Sequence, residues 1–420
     1  MLHDYLAIIQ ARIRTMLLVL AGLLLSAGIA AAADPLKIGF GMSLSGPLAG
    51  GGKSALVAYQ MWEQEVNARG GLLGRQVKLI HYDDQSNPAN VPGIYTKLLD
   101  VDKVDLVIAP YATTQQAAAM PVIVPRGLLF FALFGTAVNA EYKYDRFFQI
   151  APNGPNPKES TAAGFFEAAM TMNPKPKTVA LVGADAEFSK NSLDGARQIA
   201  KKLNLNIVYD RTYPPHTVDF SPIIRSIQAS SPDLVYVASY PLDSVGLVRA
   251  AHQLKLKTGM FGGAMIGVQY AAIKQQLGSL LNGVAAYDYW VPAPTMNFPG
   301  IESFLKNYQE RAVKENVDAL GFFIPPFAYA EMQILENAVK AVGSLDQKKL
   351  ADYIHKTEFS TIVGKVKFGA DGEWSRPQVI YVQYRGISGN DLAQFKKPGT
   401  QVIVAPKEFK SGDLEYPFQN

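Results

Sequence analysis

Short apolar runs alternate along the chain with stretches whose apolar positions recur every three or four residues. The runs at 37–42, 77–82, 104–109, 128–132 and 147–150 read as strands. Between the first two, Ala55, Ala58, Trp62 and Val66 form a helical stripe that stops at Gly70-Gly71. Near-continuous apolar strands separated by amphipathic helices predict a parallel sheet covered on both faces. The rhythm breaks at "APNGPNPKES", 151–160, then restarts with strands at 178–182, 207–211, 234–238, 260–262 and 284–287 and helices near 192–203 and 244–253. A second proline cluster, "WVPAPTMNFPG", begins at Trp290, and 378–384 is a late strand. A chain of 420 residues normally divides into two domains. The expected fold is therefore α/β, with two doubly wound lobes and a chain that crosses between them near 151–160, 290–295 and 360–370. The first lobe is expected to comprise 34–151 and 290–360, the second 152–289 and 361–386, with a C-terminal extension at 387–420.

The N-terminus adds a destination. Arg12 and Arg14 precede the apolar stretch "TMLLVLAGLLLSAGIAAAA", which ends in Ala31-Ala32-Ala33 before Asp34. A charged start, an apolar middle and small residues at the end predict a secretory signal peptide over 1–33. The run approaches the length of a membrane anchor, but it closes in alanines rather than in a basic stop-transfer flank. The chain has no cysteine, so it offers neither a site for lipidation nor disulfides, and its stability must come from a buried core. These features predict a protein free in the periplasm. Loss of Arg12, Arg14 and Asp4 with the leader lowers the formal charge from +4 to +3, and the remaining charges are scattered. Nucleic acid, which calls for a concentrated basic stripe, is not an expected partner.

In doubly wound sheets ligands bind beyond the carboxyl ends of the strands. Those ends read "SLSGPLAGG", "PYATTQQ" and "LFGTA" in the first lobe and "GADAEFS", "ASYPLDS" and "GGAMIGVQ" in the second. They hold glycine, small hydroxyls and aromatics with almost no Lys or Arg, which suits a small ligand with an apolar body and one polar end. "SGPLAGGGKS" misses the phosphate-loop pattern by one position, since the first glycine is Gly46 and Pro47 stands where it belongs. Export away from ATP, and the lack of a strand-end aspartate for magnesium, argue against nucleotide hydrolysis. "GMSLSG" misses the nucleophile elbow because its fifth position is Ser45. Past the leader the histidines are His81, His216, His252 and His355, none in a strand-end loop. His81 lies beside Asp83 and Asp84, but successive strand residues point to opposite faces, and the two acids suit capping of a helix near Asn87-Pro88. No enzyme activity, cofactor or metal is expected.

The segments "IGFGMSLSGPLA", "VNARGGLLGRQVKLIHYDDQSNP", "YATTQ", "SLDGAR", "DFSPIIRSIQASSPDLVYVASYP" and "FGGAMIG", in this order, resemble the periplasmic solute-binding proteins of branched-chain amino acid ABC transporters, the leucine/isoleucine/valine type. The resemblance covers nearly the whole mature chain. It implies a type I periplasmic binding protein, two lobes joined by a three-strand hinge that close on a ligand, and a membrane permease as partner. It places the ligand carboxylate on the loop Tyr111, Ala112, Thr113, Thr114, with further contacts from Phe134, Gly135 and Thr136. Thr113 and Thr114 could equally cap the helix of "TQQAAAM". Phe188 and Tyr240 match the aromatic residues that close from the second lobe, although an aromatic at a strand end is as often packing.

One departure bears on the ligand. The resemblance implies an acid in "GGAMIG" to meet a ligand ammonium, and Ala264 and Met265 stand there instead. Gly50 to Gly52 replace an expected aromatic and are read as leaving room for ligand. Asp185, Glu187 or Asp243 could supply the missing charge, or could cap the helices that follow. The expectation is a monomeric importer component that binds a small apolar carboxylate, aromatic or 2-oxo acid. The alternatives are a hydrophobic amino acid as ligand, or a periplasmic sensor with the same pocket.

Overall fold

The computed structural model describes residues 34–418 except His216, together with Arg12. The rest of the expected signal peptide, and His216, lie outside the described residues. The first lobe opens with β1 (Leu36–Met42), α1 (Ala49–Ala68), β2 (Val77–Asp83), α2 (Val91–Asp100), β3 (Leu106–Val107), α3 (Thr113–Ile123), β4 (Phe130–Ala132), α4 (Asn139–Tyr142) and β5 (Phe147–Gln149). The strands run parallel in the order β2-β1-β3, and a bridge from Ile108 to Phe131 carries the sheet on to β4 and β5. The second lobe follows with α5 (Pro157–Ala169), β6 (Thr178–Ala184), α6 (Glu187–Lys202), β7 (Asn206–Tyr213), α7 (Ser221–Ala229), β8 (Leu234–Ser239), α8 (Pro241–Gln253), β9 (Met260–Met265), α9 (Ala271–Leu277) and β10 (Ala285–Asp288).

The chain then returns to the first lobe with α10 (Ile301–Glu315), α11 (Pro325–Val342), α12 (Gln347–Lys356) and the hairpin β11 (Glu358–Thr361) and β12 (Gly364–Lys367). Buried polar contacts fix α11 on α1. The Tyr59 hydroxyl donates to Glu331 at 2.7 Å and the Trp62 indole to Glu336 at 2.9 Å. The final passage supplies β13 (Ile380–Tyr384) and β14 (Gln401–Ala405) to the second lobe.

Three details differ from expectation. The second sheet, in the order β14-β13-β10-β9-β8-β6-β7, is mixed, because β13 runs antiparallel to β10 and β14 antiparallel to β13. The third crossing falls after β12, since the hairpin that straddles position 360 stays with the first lobe, where Phe368 packs edge-on against Phe131 and Phe148. The stretch set apart as 387–420 is woven into the second sheet through β14, and Phe418 packs on Phe261 at 5.1 Å.

The three crossings lie against one another. The Gln378 amide donates to the Pro152 carbonyl at 2.8 Å, and the Tyr289 hydroxyl donates to Asn153 at 2.9 Å. Gly154, at φ +73°, sits so close to Pro377 that a Cβ would lie 2.7 Å from the proline nitrogen. Hydrogen-bonded segments that share one packed joint can bend together while each lobe keeps its own core.

Candidate functional site

The carboxyl ends of the two sheets face each other across a nearly filled cavity of about 20 Å³. Eight of the ten residues expected at the site line it: Tyr111, Ala112, Thr113, Phe134, Gly135, Thr136, Phe188 and Tyr240. Thr114 turns instead toward the outer mouth of the cleft and donates to Gln115 at 2.6 Å. Met265 is the buried last residue of β9, and Ile266 after it reaches the cavity.

The loop before α3 builds the polar wall. Ala112 adopts φ +82°, an unusual conformation for a residue with a Cβ, and this kink starts the helix at Thr113, whose first turn thus begins at the cavity wall. No side chain caps that helix, so the capping reading of the two threonines is not what they do. Thr113 Oγ accepts the Thr136 amide at 3.1 Å, which ties the two site loops together and leaves the Thr113 hydroxyl hydrogen unspent. Asn153, at the first crossing, donates to the Gly135 carbonyl at 3.2 Å and so links those loops to the hinge. Helix-start amides plus a hydroxyl form a receptor for a carboxylate. Thr113→Ala is expected to lower ligand affinity about tenfold to a hundredfold, from about 1.5–3 kcal/mol of charge-assisted hydrogen bonding. Calorimetric titration checks the affinity, and a drop in melting temperature without an affinity change would assign Thr113 a purely structural role.

The remaining walls are mostly rings. Phe134 lies 4.9 Å from Tyr289 and 5.0 Å from Phe323 between ring centroids, and Tyr289 stacks on Phe323 at 5.7 Å. Across the cleft, Phe188 stands edge-on to Tyr240 at 5.9 Å and tilted to Tyr287 at 6.4 Å. The Tyr111 hydroxyl of the first lobe meets that of Tyr270 of the second at 2.8 Å. Leu48, Ile266, Tyr287, Tyr289 and Phe323 line the cavity without having been expected there. "AAYDYW" at the end of β10 carries two of them and follows the strand-end rule, whereas Phe323 precedes a helix with no strand before it.

No acid lines the cavity. Asp185, exposed, pairs with Lys190 at 2.5 Å and does not cap α6, whose start Ala186 accepts the Lys190 amide. Burial, and then Glu141 beside it, pushes the Glu187 carboxyl up. Asp243 accepts the Tyr213 hydroxyl at 3.1 Å and faces the outer mouth. The space at Gly51 is not left for ligand. A Cβ there would meet Ile324, Tyr111 and the Tyr270 hydroxyl at 2.6–2.7 Å, so the glycine admits the protein's own side chains.

The loop that nearly matches a phosphate cradle has most of its amides already engaged. Asp83 accepts the Leu44 and Ser45 amides at 2.9 and 3.2 Å, Ser86 Oγ accepts that of Leu48, and the amides of Gly51 and Gly52 go to the Leu48 carbonyl. Burial opposes the Asp83 charge, but these bonds and the Ser45 hydroxyl outweigh it and hold the carboxyl below its usual range. Asp84 accepts Ser43 Oγ at 2.7 Å. Both acids brace this loop, and Asn87 caps the short helical turn that they were expected to cap. His81 stacks on Phe40 at 5.6 Å, and burial lowers its pKa. Among the described residues no three His, Cys, Asp or Glu groups cluster closely enough to hold a metal ion.

Two doubly wound lobes, a hydrogen-bonded triple crossing and an interlobe cavity define the type I periplasmic binding fold. The chain belongs to the periplasmic binding protein family, whose pattern it matches over residues 35–385. It is 25% identical over 374 residues to Leu/Ile/Val-binding protein homolog 7 of Brucella abortus (strain 2308), covering 86% of this chain and 92% of that protein. Its fold is similar to the branched-chain amino acid transporter substrate-binding protein LivJ from Streptococcus pneumoniae in complex with isoleucine, with TM-score 0.73, 21% identity and coverage of 89% and 100%. It is equally similar to an ABC transporter solute-binding protein from R. palustris in complex with benzoate, with TM-score 0.72, 19% identity and coverage of 88% and 95%.

Proposed function

We propose that this protein is the periplasmic substrate-binding component of an ABC importer. It holds a small apolar carboxylate, aromatic or 2-oxo acid, between its lobes and delivers it to a permease after its leader is removed. The observation that carries this reading is a cavity walled by rings, hydroxyls and open helix-start amides, with no acid or base side chain lining it. Such a wall offers donors for a carboxylate and apolar faces for a ring or branched chain, and no carboxylate to pair with an ammonium. The benzoate held by the R. palustris protein is in keeping with it. The names of the sequence relatives favour a second reading, a hydrophobic amino acid whose ammonium is met by Asp185 or Glu187 after a local rearrangement.

Mass spectrometry of the small molecule that co-purifies with the periplasmic protein tests the reading. A deaminated apolar acid is the expected result, and leucine, isoleucine, valine or phenylalanine would replace it with the second reading. Transport itself follows from the same mechanics. The cavity is made from both lobes, so only the closed form makes all the contacts, and ligand must favour closure. The radius of gyration from small-angle scattering is therefore expected to shrink on saturation, and an unchanged radius would contradict hinge closure.

A further inference from the structure

Phenol hydroxyls crowd the cavity, and not all of their hydrogens are committed to the protein. Tyr111, Tyr240, Tyr287 and Tyr289 line it, and Tyr270 stands behind Tyr111. Each phenol carries one hydrogen to donate. Tyr289 spends its hydrogen on Asn153. Tyr111 and Tyr270 share one hydrogen bond between two hydroxyls, so one of their two hydrogens is left over. Tyr287, at the end of β10 and only 2% exposed, makes no side-chain hydrogen bond with any described residue. Burial pushes Tyr111 up to about 12, and burial together with Tyr289 and Tyr111 raises Tyr287, so these phenols remain protonated donors at neutral pH. A hydroxyl that lines the cavity with its hydrogen uncommitted can give that hydrogen to a ligand that brings an acceptor.

The two polar features lie on opposite walls. The α3 amides and Thr113 belong to the first lobe, and Tyr287 belongs to the second. A ligand whose carboxylate sits on the first wall turns its other end to Tyr287. An ammonium at that end has donors only, and would leave the Tyr287 hydrogen unspent. A ring hydroxyl has lone pairs for Tyr287 and a hydrogen of its own for a neighbouring phenol oxygen.

We infer that Tyr287, with the Tyr111–Tyr270 pair, selects an aromatic carboxylate that carries a ring hydroxyl over the same acid without one. This rests on the carboxylate reading above and names the subclass within it. The test is calorimetric titration of wild type and Tyr287→Phe with benzoate, 3-hydroxybenzoate and 4-hydroxybenzoate. At least one hydroxybenzoate is expected to bind wild type about tenfold more tightly than benzoate. In Tyr287→Phe that preference, read as the ratio of hydroxybenzoate to benzoate affinity within the variant itself, is expected to fall below about threefold, since the variant loses one oxygen and keeps the ring. Benzoate binding wild type as tightly as both hydroxy acids would overturn the inference and leave the carboxylate reading standing. So would a preference that survives in Tyr287→Phe. Failure of all three acids to bind overturns the inference together with the aromatic-carboxylate reading beneath it, and the wild-type ratio decides the matter even if the variant does not fold.

Discussion

Phenylpyruvate is expected to bind more tightly than phenylalanine, and 4-methyl-2-oxopentanoate more tightly than leucine, by about a hundredfold or more in each pair. The members of a pair share their carboxylate and apolar body, so their difference isolates the amine. Bringing an ammonium out of water costs several kcal/mol unless a partner meets it, and each 1.4 kcal/mol is about tenfold in affinity. The loop that would have to supply the partner reaches the cavity through Ile266, after the buried Met265, and no acid stands there. The three acids nearby are otherwise engaged or unsuited. Asp185 is paired with Lys190, Asp243 with Tyr213, and Glu187 is held toward its neutral form by burial and Glu141. Calorimetry on both pairs reads the result directly. Tighter binding of the amino acid in both pairs would sink the deaminated-ligand reading and return the protein to amino-acid uptake.

The strands were legible where burial on both faces removes polar alternation. Residues 37–42 and 234–238, for example, read as strands and lie within β1 and β8. β14 was not, because 401–405 is a short apolar run within a tail rich in Lys, Pro and Gly, and its place depends on pairing with β13. Nor does a local pattern tell which way a strand runs. β13 is antiparallel because a third crossing brings the chain back, and the hairpin β11–β12 delays that crossing past 367. The site loops of the first lobe were readable for a similar reason as the strands, since "PYATTQQ" and "LFGTA" must lie at strand ends. Phe323 is different. It reaches the cavity only because α10 and α11 return to cover α1, a long-range event with no signature around residue 323. The glycines of 50–52 were legible as special but not in their use, because what fills the space of an absent Cβ comes from distant segments.

Those three neighbouring glycines give the last prediction, since alanine at each should act on a different property. Gly50 is exposed in the first turn of α1 with nothing within 4 Å of a Cβ, so Gly50→Ala is expected to stabilise by about 0.5–1 kcal/mol through helix propensity alone. At Gly51 the added methyl collides with side-chain atoms of Ile324, Tyr111 and Tyr270. Tyr270 belongs to the opposite lobe, so opening the cleft relieves part of the strain. Gly51→Ala should therefore cost the closed form about 1–3 kcal/mol and lower affinity roughly fivefold to a hundredfold, with little change in the melting temperature of the ligand-free protein. Gly52→Ala places the methyl on the Ser43 carbonyl, which is backbone at the end of β1 and cannot swing aside. α1 would have to back away from the sheet whether the lobes are open or closed, at a cost of about 3 kcal/mol or more in folding stability. Thermal melts and ligand titrations on the three variants separate these outcomes. If Gly51→Ala bound ligand like wild type, the Tyr111–Tyr270 contact would not belong to the bound state. If Gly52→Ala melted like wild type, α1 would not be packed against β1 as closely as the Ser43 contact requires.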